Sequence, residues 1–211
     1  MTRSEDPAND LVVAAPLRME ARALRRGAPD LRILRTGAGR TRARRAALRL
    51  RAAPARRVAI AGLCGALDPD LVPGDVVVAS ALPGVDVALS RAAELARAMD
   101  EMGLRARVMP VVSVPHVVRG SRRLTLWEQG AGAVDMESSW LAEGAAGRPL
   151  AVVRVVLDGP HHELLRPSLA GNLLRALRVL GTVARALQLW EPEASHPDAG
   201  RVRSAGWPQG G

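Results

Sequence analysis

Short apolar runs alternate with helical segments along most of the chain, and this alternation constrains the fold more than any other feature. Residues 11–15, 31–36, 57–61, 76–80, 108–114 and 150–157 are each of strand length. Runs that are apolar throughout, such as Leu11-Val12-Val13-Ala14-Ala15, suit strands covered on both faces. Pro16, whose missing N–H costs nothing at a helix start, predicts a helix over 17–26 that ends at Gly27. Further helical patterns run from 40 to about 52, over 91–102, 121–129 and 136–146, and from Pro167 along a leucine face ending near Leu187. The pattern predicts an α/β fold, three layers around a central, largely parallel mixed sheet. Ligands of such sheets bind beyond the carboxyl ends of the strands. The stretches 37–39, 62–65 and 135–137, and Asp158, all fall there, which is the main reason to expect an enzyme.

A length of 211 residues fits one domain, assigned to 10–190, with a disordered leader at 1–9 and a disordered Pro/Gly/Ser-rich tail at 191–211. The single cysteine, Cys64, excludes an internal disulfide and reads as a small buried filler. There is no apolar run of about 18 residues, and the first ten residues are polar and acidic, so a cytosolic protein is expected. The net charge is +9 and every basic residue is arginine. With no Phe and no Tyr, aromatic stacking of single-stranded nucleic acid is nearly excluded. Eight arginines in 40–57 invite a nucleic-acid-binding reading. Their helical spacing scatters them around the helix, no recognised nucleic-acid motif accompanies them, and a solvated face is the plainer expectation. The adjacent His161 and His162 point apart in an extended chain, and no metal or cofactor is expected.

Five fragments stand in a distinctive order: VVAAPLRMEARAL (12–24), TGAGR (36–40), AGLCGALDPDLVPGDVVVAS (61–80), AVDMESSWLA (133–142) and VVRVVLDGP (152–160). Together the chain resembles the nucleoside phosphorylase/nucleosidase superfamily, whose members cut the N-glycosidic bond of nucleosides. Within it, V-D-M-E-S and V-R-V-V-x-D are most similar to the hopanoid-biosynthesis nucleosidase, thought to release adenine from adenosylhopane. A methylthioadenosine/S-adenosylhomocysteine or futalosine-type nucleosidase, or a phosphorylase, is the alternative.

The resemblance implies roles for particular residues. Asp158 matches the acid that protonates the leaving purine; otherwise it is a turn or N-cap aspartate. Glu137 matches the carboxylate that binds the ribose hydroxyls, with Met136 against the sugar. Acidity at a helix N-terminus is the plainer account of Glu137, and suffices for Asp135. Glu20 matches the carboxylate that positions the attacking water, or is an ordinary helix glutamate. Gly37 and Gly39, and Gly62 and Gly65, bring main chain close to the substrate. His116 is the nearest planar group to take the place of the family's base-stacking aromatic, or an ordinary loop histidine. Phosphorylases carry an arginine and a hydroxyl where this chain has residues 58–61 and Leu63, so hydrolysis is expected over phosphorolysis. The resemblance also implies a small-molecule nucleoside substrate and a homo-oligomer. A connection of about ten residues after the 76–80 strand is expected to leave the 5′ end of the site open, and the arginines of 40–57 to give peripheral contact with an anionic membrane.

Overall fold

The computed structural model describes residues 10–160 and 169–192. The proposed leader at 1–9, most of the proposed tail, and His161 and His162 lie outside these residues. Eight strands form one sheet: β1 (Leu11–Ala15), β2 (Arg32–Arg35), β3 (Arg57–Ala66), β4 (Val76–Ala79), β5 (Ala106–Met109), β6 (Val111–Ser113), β7 (Ala133–Asp135) and β8 (Leu150–Asp158). The main path is β2-β1-β3-β8-β4-β5. Its ladders are parallel except between β4 and β8, while β7 runs antiparallel to the end of β3 and parallel to β6.

Among the described residues six α-helices cover the sheet: α1 (Arg18–Gly27), α2 (Arg40–Arg51), α3 (Ala92–Glu101), α4 (Ser121–Glu128), α5 (Ser138–Ala142) and α6 (Leu169–Leu189). Successive residues of a strand point to opposite faces, so each strand feeds two cores. Val13, Ala59 and Val153 pack with Leu24 of α1, Met99 of α3 and Leu180 of α6. Val12, Ile60 and Val152 pack with Ala46 and Leu50 of α2 and Leu141 of α5. The layers are therefore helix, sheet and helix, as the alternation of runs predicts. None of the described helices is long and apolar enough to cross a membrane.

Several boundaries differ from those read in the sequence. Helix α1 begins at Arg18 with Leu17 at its N-cap, so Pro16 precedes it. The small residues after Ala61 suggest a turn, yet β3 continues to Ala66 because β8 pairs with it as far as Gly65 and β7 pairs with its last two residues. The run 108–114 is two strands parted at Pro110, and β7 precedes a short α5 where one helix over 136–146 is expected. The arginines of α2 are not scattered: Ala43, Ala46, Ala47 and Leu50 form the buried stripe, and every arginine of the helix is exposed.

Candidate active site

Strands β1, β3 and β8 end at the same edge of the sheet, and their carboxyl ends carry a cluster of buried charges. Glu20, in the first turn of α1, reaches back to accept from the Leu17 N–H at 2.6 Å, which is one half of a capping box. Its other oxygen accepts from the Leu63 N–H of β3 at 2.9 Å. The helix cap and the strand thus hold both oxygens of one buried carboxylate. Burial pushes the Glu20 carboxyl above its usual range, against the two amide bonds and the nearby Arg154, which favour the charged form.

Arg154 interrupts the apolar run of β8 and is wholly buried. Its Nη2 lies 2.7 Å from Asp135 Oδ2 and donates to Ser138 Oγ at 2.8 Å, and its Nε donates to the same hydroxyl. Burial alone disfavours the guanidinium, but Asp135, Glu137 and Glu20 outweigh it and hold the proton more firmly than usual. Its Nη1 has no hydrogen-bond partner among the described residues. Asp135 also accepts from the Glu137 and Ser138 N–H groups at 3.2 Å and from Ser113 Oγ. The helix-terminal account of Asp135 therefore holds, and the residue has a second task in orienting Arg154. Glu137 accepts from the Gly39 N–H at 2.9 Å, and burial raises its carboxyl.

Asp158 ends β8 and is buried against Arg123 of α4, whose Nη2 donates to Asp158 Oδ2 while Nη1 donates to the Ala66 carbonyl at 2.7 Å. The apolar strand end expected for a proton donor is thus an ion-paired one. The carboxyl that faces the cavity is already held by a guanidinium.

Glu20, Asp135, Glu137 and Asp158 line one cavity of about 190 Å³, and Arg154 stands behind its wall. Its walls include Glu20, Met136, Glu137, Asp158, Gly65 and His116, six of the residues singled out in the sequence, together with Arg123 and Asp135. Gly62 and Gly39 stand behind the wall, the latter through its bond to Glu137. Gly37 is displaced from its expected place: Ala38 lines the cavity, and a Cβ at Gly37 would meet Arg42 Cδ at 2.6 Å. The connection after β4 does not border the site. Because β4 runs antiparallel to β8, it delivers the chain to the far end, where Leu89 bridges Leu150. Its length therefore says nothing about the cavity mouth.

Two arginines were missed in the sequence. A charged residue inside Val152-Val153-Arg154-Val155-Val156 is a legible signal, because full burial demands a partner. Arg123 gives no such signal, as it lies 35 residues from Asp158 on a helix whose other arginine is exposed.

Gly62 marks how closely the charges are set. A Cβ there would lie 2.7 Å from Arg154 Nη1 and 2.8 Å from Glu20 Oε1. Gly62→Ala is expected to displace Glu20 and to cost activity on the order of 10²-fold, since a 1 Å misplacement at a catalytic centre has that effect. Turnover compared with thermal stability checks this; a stable Gly62→Ala protein of unchanged activity contradicts it.

Residues 24–187 match the model of the Phosphorylase superfamily, and the chain belongs to that family. No curated protein matches it in sequence. Among solved structures it is similar to the futalosine hydrolase of Helicobacter pylori strain 26695, with a TM-score of 0.72 and 17% identity over 84% of this chain and 96% of that one. It is also similar to the Campylobacter jejuni 5′-methylthioadenosine/S-adenosylhomocysteine nucleosidase, with a TM-score of 0.73 and 14% identity over 86% and 99%. The Helicobacter pylori enzyme of the latter kind, solved with butyl-thio-DADMe-Immucillin-A, has a TM-score of 0.68 and 17% identity over 85% and 96%.

Proposed function

We propose that the chain is a nucleosidase that hydrolyses the N-glycosidic bond of a 5′-substituted purine nucleoside. The observation that carries this reading is the convergence of Glu20, Glu137 and Asp158, three buried carboxylates, on one cavity. Hydrolysis needs a proton on the departing base, support for positive charge on the sugar, and a water on the opposite face. Asp158 takes a proton from solvent and passes it to the departing base, its carboxylate then resting on Arg123. Glu137 accepts from the ribose hydroxyls and stabilises the sugar cation. Glu20, as a carboxylate, holds the water and takes a proton from it as the water oxygen bonds to the sugar. Arg154 lies behind the cavity wall close to Glu20 and favours the charged form of that carboxyl.

The charge balance favours water over phosphate. Arg154 is the cation nearest Glu20, and Asp135, Glu137 and Glu20 already offset it. A phosphate would meet these carboxylates, and Leu63 offers it no hydroxyl. Base release is expected at the same rate with and without added phosphate. A rate that rises with phosphate and yields a ribose 1-phosphate overturns the hydrolytic reading.

At about 190 Å³ the cavity is smaller than the roughly 300–1,000 Å³ that encloses a drug-sized ligand. Base and sugar fill it, and a large 5′ group extends past the mouth, where Leu17 is 36% exposed and Val117 48%. This supports the substrate that the sequence resemblance names, adenosylhopane, with release of adenine in hopanoid biosynthesis. A cytosolic homo-oligomer belongs to the same reading. Assaying adenine release from adenosylhopane against methylthioadenosine tests the 5′ preference.

A further inference from the structure

Helices α1 and α2 pack on opposite faces of the sheet beside its edge strand β2, so residues 18–56 form one side of the molecule. That side holds 13 of the 30 basic residues and two of the 21 acidic ones, a local balance of +11. The rest of the chain, with 17 basic and 19 acidic residues, carries −2. Of the two acids on this side, Glu20 is buried in the site and only Asp30 is exposed. The ten arginines of α1 and α2 meet no carboxylate among the described residues. Among the described residues the positive excess is thus gathered on one side.

Arginines at a sheet edge discourage strand-to-strand aggregation, and Arg32 and Arg35 of β2 answer that need. They do not account for the helices. Leu48, at 71% exposure, stands on the outer face of α2 among Arg44, Arg45 and Arg51, one helical turn away. Met19 at 43% and Leu17 lie at the start of α1, and Leu17 and Ala38 line the cavity. The basic side therefore runs to the cavity mouth, and apolar groups project from it at two places.

We propose that the α1–β2–α2 side docks on an anionic lipid surface and so presents the cavity mouth to the bilayer. The purpose of such docking rests on the nucleosidase reading, since a substrate with a large apolar 5′ group resides in lipid. Arginines supply the attraction, and Leu48, Leu17 and Met19 enter the interface, a combination that suits a membrane better than a nucleic acid. Residues 18–56 contain no aromatic, and the Trp140 ring beside them is already covered by the Arg40 guanidinium, 5.7 Å from its centroid, so no free platform for bases is offered. A second copy is repelled by the like charge.

The test is co-sedimentation of the full-length protein with vesicles of phosphatidylglycerol and phosphatidylcholine, or of phosphatidylcholine alone. Binding to the anionic vesicles at low salt, lost at high salt and absent with the neutral ones, is expected. Replacing Arg44, Arg45 and Arg49 by Gln should weaken partitioning on the order of a hundredfold, taking roughly fivefold per arginine near the surface. The same change at Arg91, Arg97 and Arg105, exposed at the opposite, β4–β5 edge of the sheet, should leave it nearly unchanged. Equal loss in both triple variants, no binding at low salt, or displacement from vesicles by a short RNA at equal charge overturns the proposal. Base release from methylthioadenosine in detergent-free buffer is measured in parallel. Failure with this substrate and with adenosylhopane alike counts against the nucleosidase reading, whatever the vesicles show.

Discussion

An Asp158→Asn variant is expected to keep its fold and lose about 10²–10⁴-fold in turnover, the usual contribution of a general acid. The substitution preserves shape, and the amide oxygen still accepts from Arg123, so the buried guanidinium keeps a partner. It cannot release a proton to the departing base. The loss should fall on kcat more than on KM, because the base meets a group of the same size. A substrate whose base leaves without protonation, such as a p-nitrophenyl riboside, should lose much less. Full activity on a purine nucleoside in the Asp158→Asn protein would falsify the acid role and return the residue to its part in the Arg123 ion pair.

Replacing Arg154 by Met should produce the largest loss of stability, about 3–5 kcal/mol, as expected when one partner of a buried ion pair is removed. Asp135 is left buried without its counter-charge, and the Ser138 hydroxyl loses two donors. Glu20 and Glu137 lose the cation that lowers their carboxyl values, already raised by burial. Such raised groups contribute stability that is present below the ordinary 4.5 and lost as pH climbs through their raised values. The variant's deficit should therefore be smallest in acid and grow as pH rises. Denaturant midpoints measured across pH check both size and direction; a deficit independent of pH would place Arg154 apart from these carboxylates.

The sequence was most legible where one residue type served one need. Strands β1 and β8 are covered on both faces, so they are apolar almost throughout and stand out. The end of β3 misled because Gly62 and Gly65 are small for a reason other than turning: charged side chains pack against them. Glu20, Glu137 and Asp158 emerged through their motifs, and the structure brings all three to one cavity. What stayed hidden was the set of partners. Ser113 and Arg123 contact the site across 22 and 35 residues of chain, and such contacts follow from folding rather than from any local pattern. The position of the loop after β4 depended on strand direction, which side-chain periodicity does not encode.

Strand β8 carries Arg154 at its centre and Asp158 at its end, and β3 flanks it from Leu150 to Asp158. Four residues of strand, with a register shift against β3 just before Asp158, set the span between the buried Arg154 and the cavity-lining Asp158. That span is a ruler cut into the sheet. An inserted or deleted residue in β8 would change its length and turn one of the two side chains to the wrong face. The mouth, by contrast, is built from the start of α1 and from the turns around Ala38 and Val117, which can be exchanged without touching the ruler. Substitutions at the rim can therefore reshape the mouth while the spacing of Arg154 and Asp158 stays the same.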